Sequence, residues 1–556
     1  MKRRLAELRM DRVQFEPWWA ELAQYFKPSQ TRYAITGATA GQRYKGSRMN
    51  TKVVRNTPFM ARRVFVAGMM SGLTSPARPW FRLVTPDPAL SEYGPVKRWL
   101  HVVEMRMREV FAKGNLYNAL PTMYASLGTF ATSAMLALED DDDLLRFYVQ
   151  PIGTYWLSQS ARGVIDSIVR QYPMTVRQIV EEFGTDRLSV RTQNLVRDKK
   201  WEQQIDILHS IEPTPRTEFK SCYIELGCDD RDVLAERRYN ESPLIAPRWE
   251  VDPEDVYGTD CPGMLALGPA RALMVQERRK AQAIDKMVAP PLLAPVGLRN
   301  ALIDNVAGGV TYYDIAQGRE GVKSLYDVRP DINALVADIA ETGAEIDEAF
   351  YTDMFLAISR MEGVQPRNEM EIFERKEEKL LQLGPALERM NDECLDPLID
   401  RTFAVMVRRS EPYWRGLLDG DPVLPPPPPE LQGLPLRVEY ISVLAQAMRT
   451  IGISGIERTI AFVGNIAAQT GSTAVWDKLD TDQAIDEYAA MTGVSPLIVR
   501  DDEVVASMRD SRAQQAAAAQ AQQSADTLNT MAGAVKQLGD TPVSGDTVLG
   551  KLAGVA

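Results

Sequence analysis

The sequence predicts an α+β protein, mainly helical, on three observations. Two amphipathic patterns, 266–288 and 331–358, run at helical period around a short glycine-containing insert. Between Leu144 and Trp249 the period shortens to alternating runs, which are strands. From Arg512 to Gln523 the chain is almost wholly Ala and Gln, a composition that forms helix but offers no stripe wide enough for a core.

Composition bounds the function. The 556 residues are 45% hydrophobic, enough to bury large cores over two to four domains. With 64 basic against 75 acidic residues, a net charge of -11 and a pI near 5.1, a protein built chiefly to grip nucleic-acid backbone is disfavoured. Four cysteines, at 222, 228, 261 and 394, form no CxxC pair and no disulfide framework, so a reducing compartment is expected. No apolar run of about 18 residues occurs, and the basic start Met1 to Arg12 continues into an amphipathic segment. A membrane-spanning or signal-directed protein is therefore not expected. Only His101 and His209 are present, and neither a GxxxxGK[ST] loop nor a strand-linked GxGxxG occurs. The reading is a non-enzyme without cofactor or metal.

Taken in order, residues 1–27 read as helical and split or kinked at Pro17, with Leu5, Leu8, Val13, Phe15, Trp18, Trp19, Leu22 and Phe26 on a broad apolar face. Residues 29–56 form a basic arm suited to a neighbouring subunit or to phosphate. Helices are predicted over 57–73, 94–113 and 116–127, with a strand at Trp80 to Leu83. The acidic turn Glu139 to Asp143 reads as a solvated turn rather than a cation site, since it lacks EF-hand spacing. Strands follow at 145–149, 165–170, 205–211 and 219–226, interrupted by a helix 175–183 whose Thr175 and Gln178 make a capping box. The first 265 residues thus make an α+β domain.

The first helix of the long hairpin opens at Gly268-Pro269, carries Ala270, Leu273, Met274, Ala281, Ile284 and Val288 on one face, and stops at Pro290-Pro291. Arg271, Arg278, Arg279 and Lys286 lie on the other face. The second helix packs Ile332, Leu335, Val336, Ile339, Ile346 and Phe350 on one side, while Asp331, Asp338, Glu341, Glu345 and Glu348 recur on the other. No Lys or Arg occurs from Pro330 to Ser359. A solvated helix gains roughly 0.2 to 0.5 kcal/mol from each opposite-charge i,i+4 pair, and this one forgoes that gain. Two readings stay open: a face that lines a channel, or a face that pairs with the basic first helix. Gly363 and Pro366 break the pattern over 359–371, where Arg360, Met361, Gln365, Arg367 and Met370 form either a functional loop or an ordinary connection. A long helix follows to about 407, kinked near Gly384-Pro385 and Pro397, then a polyproline linker 425–433, a helical region 434–510, and a helix and mobile tail over 511–556.

Several separated segments resemble, in the same order, the portal or head-to-tail connector proteins of short-tailed bacteriophages. They are Trp18 through Tyr25-Phe26 to Pro28, Ser71-Gly72-Leu73-Thr74-Ser75-Pro76, Pro79-Trp80-Phe81, Gly128-Thr129, Pro173-Met174-Thr175, Pro243 to Trp249, Tyr257-Gly258 and Pro262-Gly263. Where that family often has a second glycine after Tyr-Gly, this chain has Thr259-Asp260-Cys261. The resemblance implies a portal-protein fold: an α+β wing over 1–265, a stem of helices 266–288 and 331–358, a strand-containing clip over 289–330, a tunnel loop over 359–371, a long helix back to the wing over 372–424, a helical crown over 434–510 and a C-terminal helix.

It further implies a dodecameric ring at one capsid vertex through which double-stranded DNA is packaged and ejected. The partners would be the terminase large subunit, a tail adaptor, and scaffolding and major capsid proteins. The protein would reside in the virion and, during assembly, in the host cytoplasm. In such a ring the acidic helix favours the channel reading, because phosphates at one charge per about 1.7 Å stick to a basic wall and are repelled by a negative one. The alternatives are a pore-less scaffold or minor capsid protein, and a metal-dependent nuclease using the Glu139 to Asp143 turn.

Overall fold

The computed structural model describes residues 1–30, 53–87, 90–91, 93–215, 218–227, 233–288, 292–293, 323–324, 331–359, 382–431, 433–442, 444–445, 459–469, 473–492, 499–500 and 502–539. Residues 31–52 of the expected arm, most of the clip and the tunnel-loop residues Arg360, Met361, Gln365, Arg367 and Met370 lie outside them. The chain divides into two compact units. The first comprises Met1–Leu83, His101–Pro427 and Leu436–Ile451, and the second Val84–Leu100, Pro428–Pro435 and Gly452–Ala556.

The first unit opens with α1 (Lys2–Arg12) and α2 (Glu16–Phe26). The break comes at 13–15, so that Pro17 falls in the first turn of α2, where its missing N–H costs no bond. Trp19, Leu22 and Phe26 are buried, but Trp18 is 57% exposed. Helix α3 (Thr57–Gly72) leads to β1 (Phe81–Val84), which pairs with β12 (Arg437–Tyr440), a strand where the sequence pattern predicted helix. Helix α4 (Gly94–Lys113) precedes α5 (Leu116–Phe130), which runs through Pro121 to Phe130, three residues past the predicted end.

Two antiparallel sheets follow. Strands β2 (Ala134–Asp140), β3 (Leu144–Gln150) and β9 (Leu244–Ile245) form one, in the order β3-β2-β9. The other is a meander of β4 (Tyr155–Gln159), β5 (Ile165–Thr175), β6 (Gln204–Pro213), β7 (Phe219–Glu225) and β8 (Val233–Tyr239). Between β5 and β6 lie α6 (Val176–Phe183) and α7 (Val190–Arg197). Side chains alternate across the meander: Ile205, Ile207 and Tyr223 pack under α6, while Trp156, Val169, Leu208 and Ile224 pack against Leu5 and Leu8 of α1. The capping box is present, with Thr175 accepting from Gln178 N and Gln178 Oε1 accepting from Thr175 N at 3.0 Å.

Short α8 (Pro262–Leu265) turns the chain into α9 (Leu267–Val288). Strands β10 (Leu292–Leu293) and β11 (Lys323–Ser324) pair antiparallel, and α10 (Ile332–Ala349) returns against α9. The second hairpin pattern is not one helix to 358. It breaks at Tyr351, whose φ of 53° is left-handed, and resumes as α11 (Thr352–Ser359). After helix α12 over residues 382–390, a π turn at Asn391–Leu395 leads into α13 (Asp396–Trp414), which carries Pro397 in its first turn.

The second unit contains α14 over residues 459–469, α15 (Thr481–Thr492) and α16 (Asp502–Gly539). Gly464 lies close to the Trp476 ring, and Arg509 forks onto Asp482 at 2.6 and 2.8 Å. The predicted Ala-Gln helix is the middle of the 38-residue α16.

Candidate functional site: an acidic helical hairpin

The hairpin of α9 and α10 grows out of the apolar body of the first unit. At its base Ala270, Leu273 and Met274 of α9 are buried, as are Ile339 and Ile346 on α10 and Phe350 at its C-terminal cap. Phe350 seats its ring 5.4 Å from Phe26 and 6.0 Å from Phe65. Phe355 of α11 fills the space beside Gly68, where a Cβ would fall 2.1 Å from its ring, so only glycine fits there. These anchors explain the break. Continuing the helix through Tyr351 would carry Phe355 off the α3 surface that receives it.

Polar contacts then set the hairpin's register. Gln276 Nε2 donates to Asp338 Oδ2 at 2.7 Å and to Thr342 Oγ1 at 3.0 Å. Glu277 is bound by Arg55 and, at 2.6 Å, by Lys280. Burial alone would raise the Glu277 carboxyl, but the bonds from Lys280 and Arg55 hold it below its ordinary value. Arg271 does not face the acids of α10. It pairs with Glu21 of α2, with Nε to Oε1 at 2.7 Å. Arg278, Arg279 and Lys286 lie exposed along α9.

The acids divide by role. Asp331 is the N-cap of α10, accepting from Asn333 N at 2.9 Å and Ala334 N at 3.2 Å. Asp338 is held by Gln276. Glu341, Glu345 and Glu348 are exposed on one face at spacings of four and three residues, so their side chains stack along it. Asp347, on another face, has its carboxyl raised by partial burial and then by the charge of Asp353. Sequence reasoning listed Asp331 with the lining acids and passed over Gln276, because an amide on a mostly charged face carries no signal of what it meets.

The acidic turn at 139–143 has a different use. Asp140 Oδ1 accepts from Asp142 N and Asp143 N, both at 3.0 Å, closing the hairpin between β2 and β3. Glu139 accepts from Arg408 at 2.9 Å and Asp141 from Arg409 at 2.8 Å, both on α13. Among the described residues no group of His, Cys, Asp and Glu is arranged to hold a metal ion.

The motif residues quoted above are packing devices. Thr74 Oγ1 lies 2.9 Å from the buried Tyr124 hydroxyl, and Trp80 and Phe81 pack on Phe111. Tyr257 accepts from Leu157 N at 3.0 Å, and Gly258 N donates to Thr132 Oγ1 at 2.8 Å. A Cβ on Gly258 would stand 2.3 Å from the Ala131 carbonyl oxygen, and one on Gly128 2.4 Å from the Phe65 ring. Beyond Gly258, Thr259 N donates to the Glu250 carbonyl at 2.8 Å and Asp260 accepts from Cys261 N at 2.7 Å. Those two bonds close the turn without a second glycine.

Residues 1–499 match the family described as bacteriophage head to tail connecting protein. The chain belongs to that family. It is 44% identical over 564 residues to the portal protein of Salmonella phage epsilon15, covering 100% of this chain and 97% of the relative. It is 38% identical over 558 residues to the probable portal protein of Bordetella phage BPP-1, covering 98% and 96%. Among solved structures, a chain from the virion of a native gene transfer agent particle matches at a TM-score of 0.30 and 10% identity, over 79% of this chain and 90% of that one. As a head-to-tail connecting protein, the chain has its place in the virion at the junction of head and tail. No helix among the described residues is long and apolar enough to cross a membrane.

Proposed function

We propose that copies of this chain form the portal ring at one capsid vertex, a conduit through which double-stranded DNA is packaged and later ejected. Family membership supports the portal role, and the two portal-named relatives match nearly end to end. The role is structural rather than catalytic. In this reading residues 1–265 are the wing, 266–288 and 331–358 the stem, 289–330 the clip, 359–371 the tunnel loop, 372–424 the long helix back to the wing, 425–433 a linker, 434–510 the crown and 511–556 the C-terminal helix and tail. The clip would dock the terminase large subunit and later a tail adaptor, while scaffolding and major capsid proteins would surround the ring. Assembly would take place in the host cytoplasm.

One observation carries the channel reading: Glu341, Glu345 and Glu348 stack on an exposed face of a helix that has no base from Pro330 to Ser359. Repeated around a ring, they become negative girdles that keep DNA phosphates from adhering. Arg360, Met361, Gln365, Arg367 and Met370 would then meet the DNA from the tunnel loop.

Replacing Glu341, Glu345 and Glu348 together with Lys tests this. Rings should still form, while DNA passage slows and DNA retention falls steeply with added salt. Rings whose DNA passage at low salt equals the parent's would sink the channel reading.

A further inference from the structure

Arg12 and Arg248, both buried, are each matched by a carboxylate: Arg12 meets Glu16 at 2.6 Å and Arg248 meets Glu393 at 2.6 Å. Lys27 and Arg62 are not. Lys27 caps the C-terminal end of α2, Arg62 lies in the second turn of α3, and both are half-buried where α2, α3 and α5 pack on one another. Lys27 Nζ donates to Ser126 Oγ of α5 at 3.3 Å, and Ser126, itself buried, donates to the Thr122 carbonyl at 3.1 Å. The remaining ammonium donors have no acceptor among the described residues, and Arg62 Nε is buried without one.

The charge acting on Lys27 is that of Arg62, and the charge acting on Arg62 is that of Arg63; no acid acts on either among the described residues. Burial first, and then Arg62, pushes the Lys27 ammonium down to about 7. Like charges brought out of water with donors left over cost stability unless an anion joins them. The anion that balances this pair carries two charges and several acceptor oxygens. Inorganic phosphate meets both needs at pH 8, since a phosphate group loses its second proton at about pH 6, whereas each phosphodiester of DNA carries one charge.

We propose that Lys27 and Arg62 form a binding site for one divalent phosphate ion, held in the half-open space between α2 and α3 beside Ser126 of α5. The site belongs to a single subunit and needs no neighbour. It adjoins the seat of the hairpin, because Phe26 precedes Lys27, Phe65 lies one turn past Arg62, and both rings pack on Phe350. A bound ion would tie together the helices that receive Phe350.

The test compares the full chain in chloride and in phosphate at pH 8 and equal ionic strength, with brief acetylation read at Lys27 by peptide mass spectrometry. A neutral amine acetylates and an ammonium does not, so phosphate, by restoring the ammonium, should slow Lys27 about tenfold or more. The exposed Lys113 should react alike in both salts. Arg62→Met should abolish the slowing. Lys27→Met supplies a second readout: in chloride it should unfold at a higher temperature than the parent, because a buried charge is gone, and phosphate, which raises the parent's midpoint, should leave the variant's unchanged. Equal reactivity of Lys27 in chloride and phosphate would overturn the proposal, as would a phosphate effect of the same size in the parent and either variant. So would slowing of Lys27 by a short DNA duplex that phosphate does not reproduce, which would assign the pair to phosphodiesters instead.

Discussion

In the sheet-bearing body of the first unit, Arg248 is 4% exposed and reaches Glu393 through its backbone N at 2.8 Å and its guanidinium at 2.6 Å, with a further bond to the Gly163 carbonyl. Arg401, 2% exposed, gives Nε to the Ala137 carbonyl at 2.8 Å and Nη1 to the Glu241 carbonyl at 3.0 Å. Along α10 the charges are of one sign, and Glu341, Glu345 and Glu348 face water. Buried ions tie segments 85 to 264 residues apart in sequence, so they hold the shape of the body. Exposed acids of one sign forgo the local benefit of pairing, which is what a surface meant to repel a polyanion requires. Burial and pairing therefore separate the charges that hold the fold from those that face a partner.

That contrast is broken most severely at Arg248. Arg248→Met leaves Glu393 without its main partner in a largely buried site, and unfolding by denaturant should show a loss of about 3 to 5 kcal/mol. Glu104 gives the next effect. Burial raises its carboxyl to about 7, against the lowering bond from Leu83 N and the charges of Arg82 and Arg108. A raised carboxyl costs nothing while protonated in both states, and the cost grows as pH rises from its unfolded value through the folded one. Glu104→Gln, which keeps an acceptor for Leu83 N, should therefore stabilise more at pH 8 than at pH 5, by about 2 kcal/mol. Equal gains at both pH values would assign the group to the exposed class.

Smaller effects sharpen the contrast. Thr175→Ala removes the accepting half of a capping box and should cost about 1 kcal/mol, read as a lower unfolding midpoint. The smallest effect is expected where function is greatest. Changing Glu341, Glu345 and Glu348 together to Gln should alter subunit stability by no more than about 0.5 kcal/mol, since these groups are exposed. A large stability loss in that variant would place them in a structural network after all.

The sequence by itself determined the elements whose cause is local. Thr175 and Gln178 announce their helix because both halves of the cap lie within one turn, and α9 and α10 follow from apolar spacing and from the proline stop. The single-signed charge of α10 was equally legible, as was the α+β character of the first 265 residues. Tertiary structure decided what depends on distant partners. Arg437 to Tyr440 is a strand because β1, some 350 residues earlier, offers it an edge. Tyr351 breaks its helix because Phe350 and Phe355 are claimed by Phe26, Phe65 and the Cβ-less surface of Gly68. Trp18 sits on the apolar face by periodicity yet remains exposed, while Trp19 beside it is sealed by Phe15 and Tyr257. Arg271 reads as one more base on a charged helix face, and only folding brings Glu21, 250 residues away, to meet it. Local propensities act over a few residues, whereas which face is covered depends on a partner that the chain supplies only once it has folded.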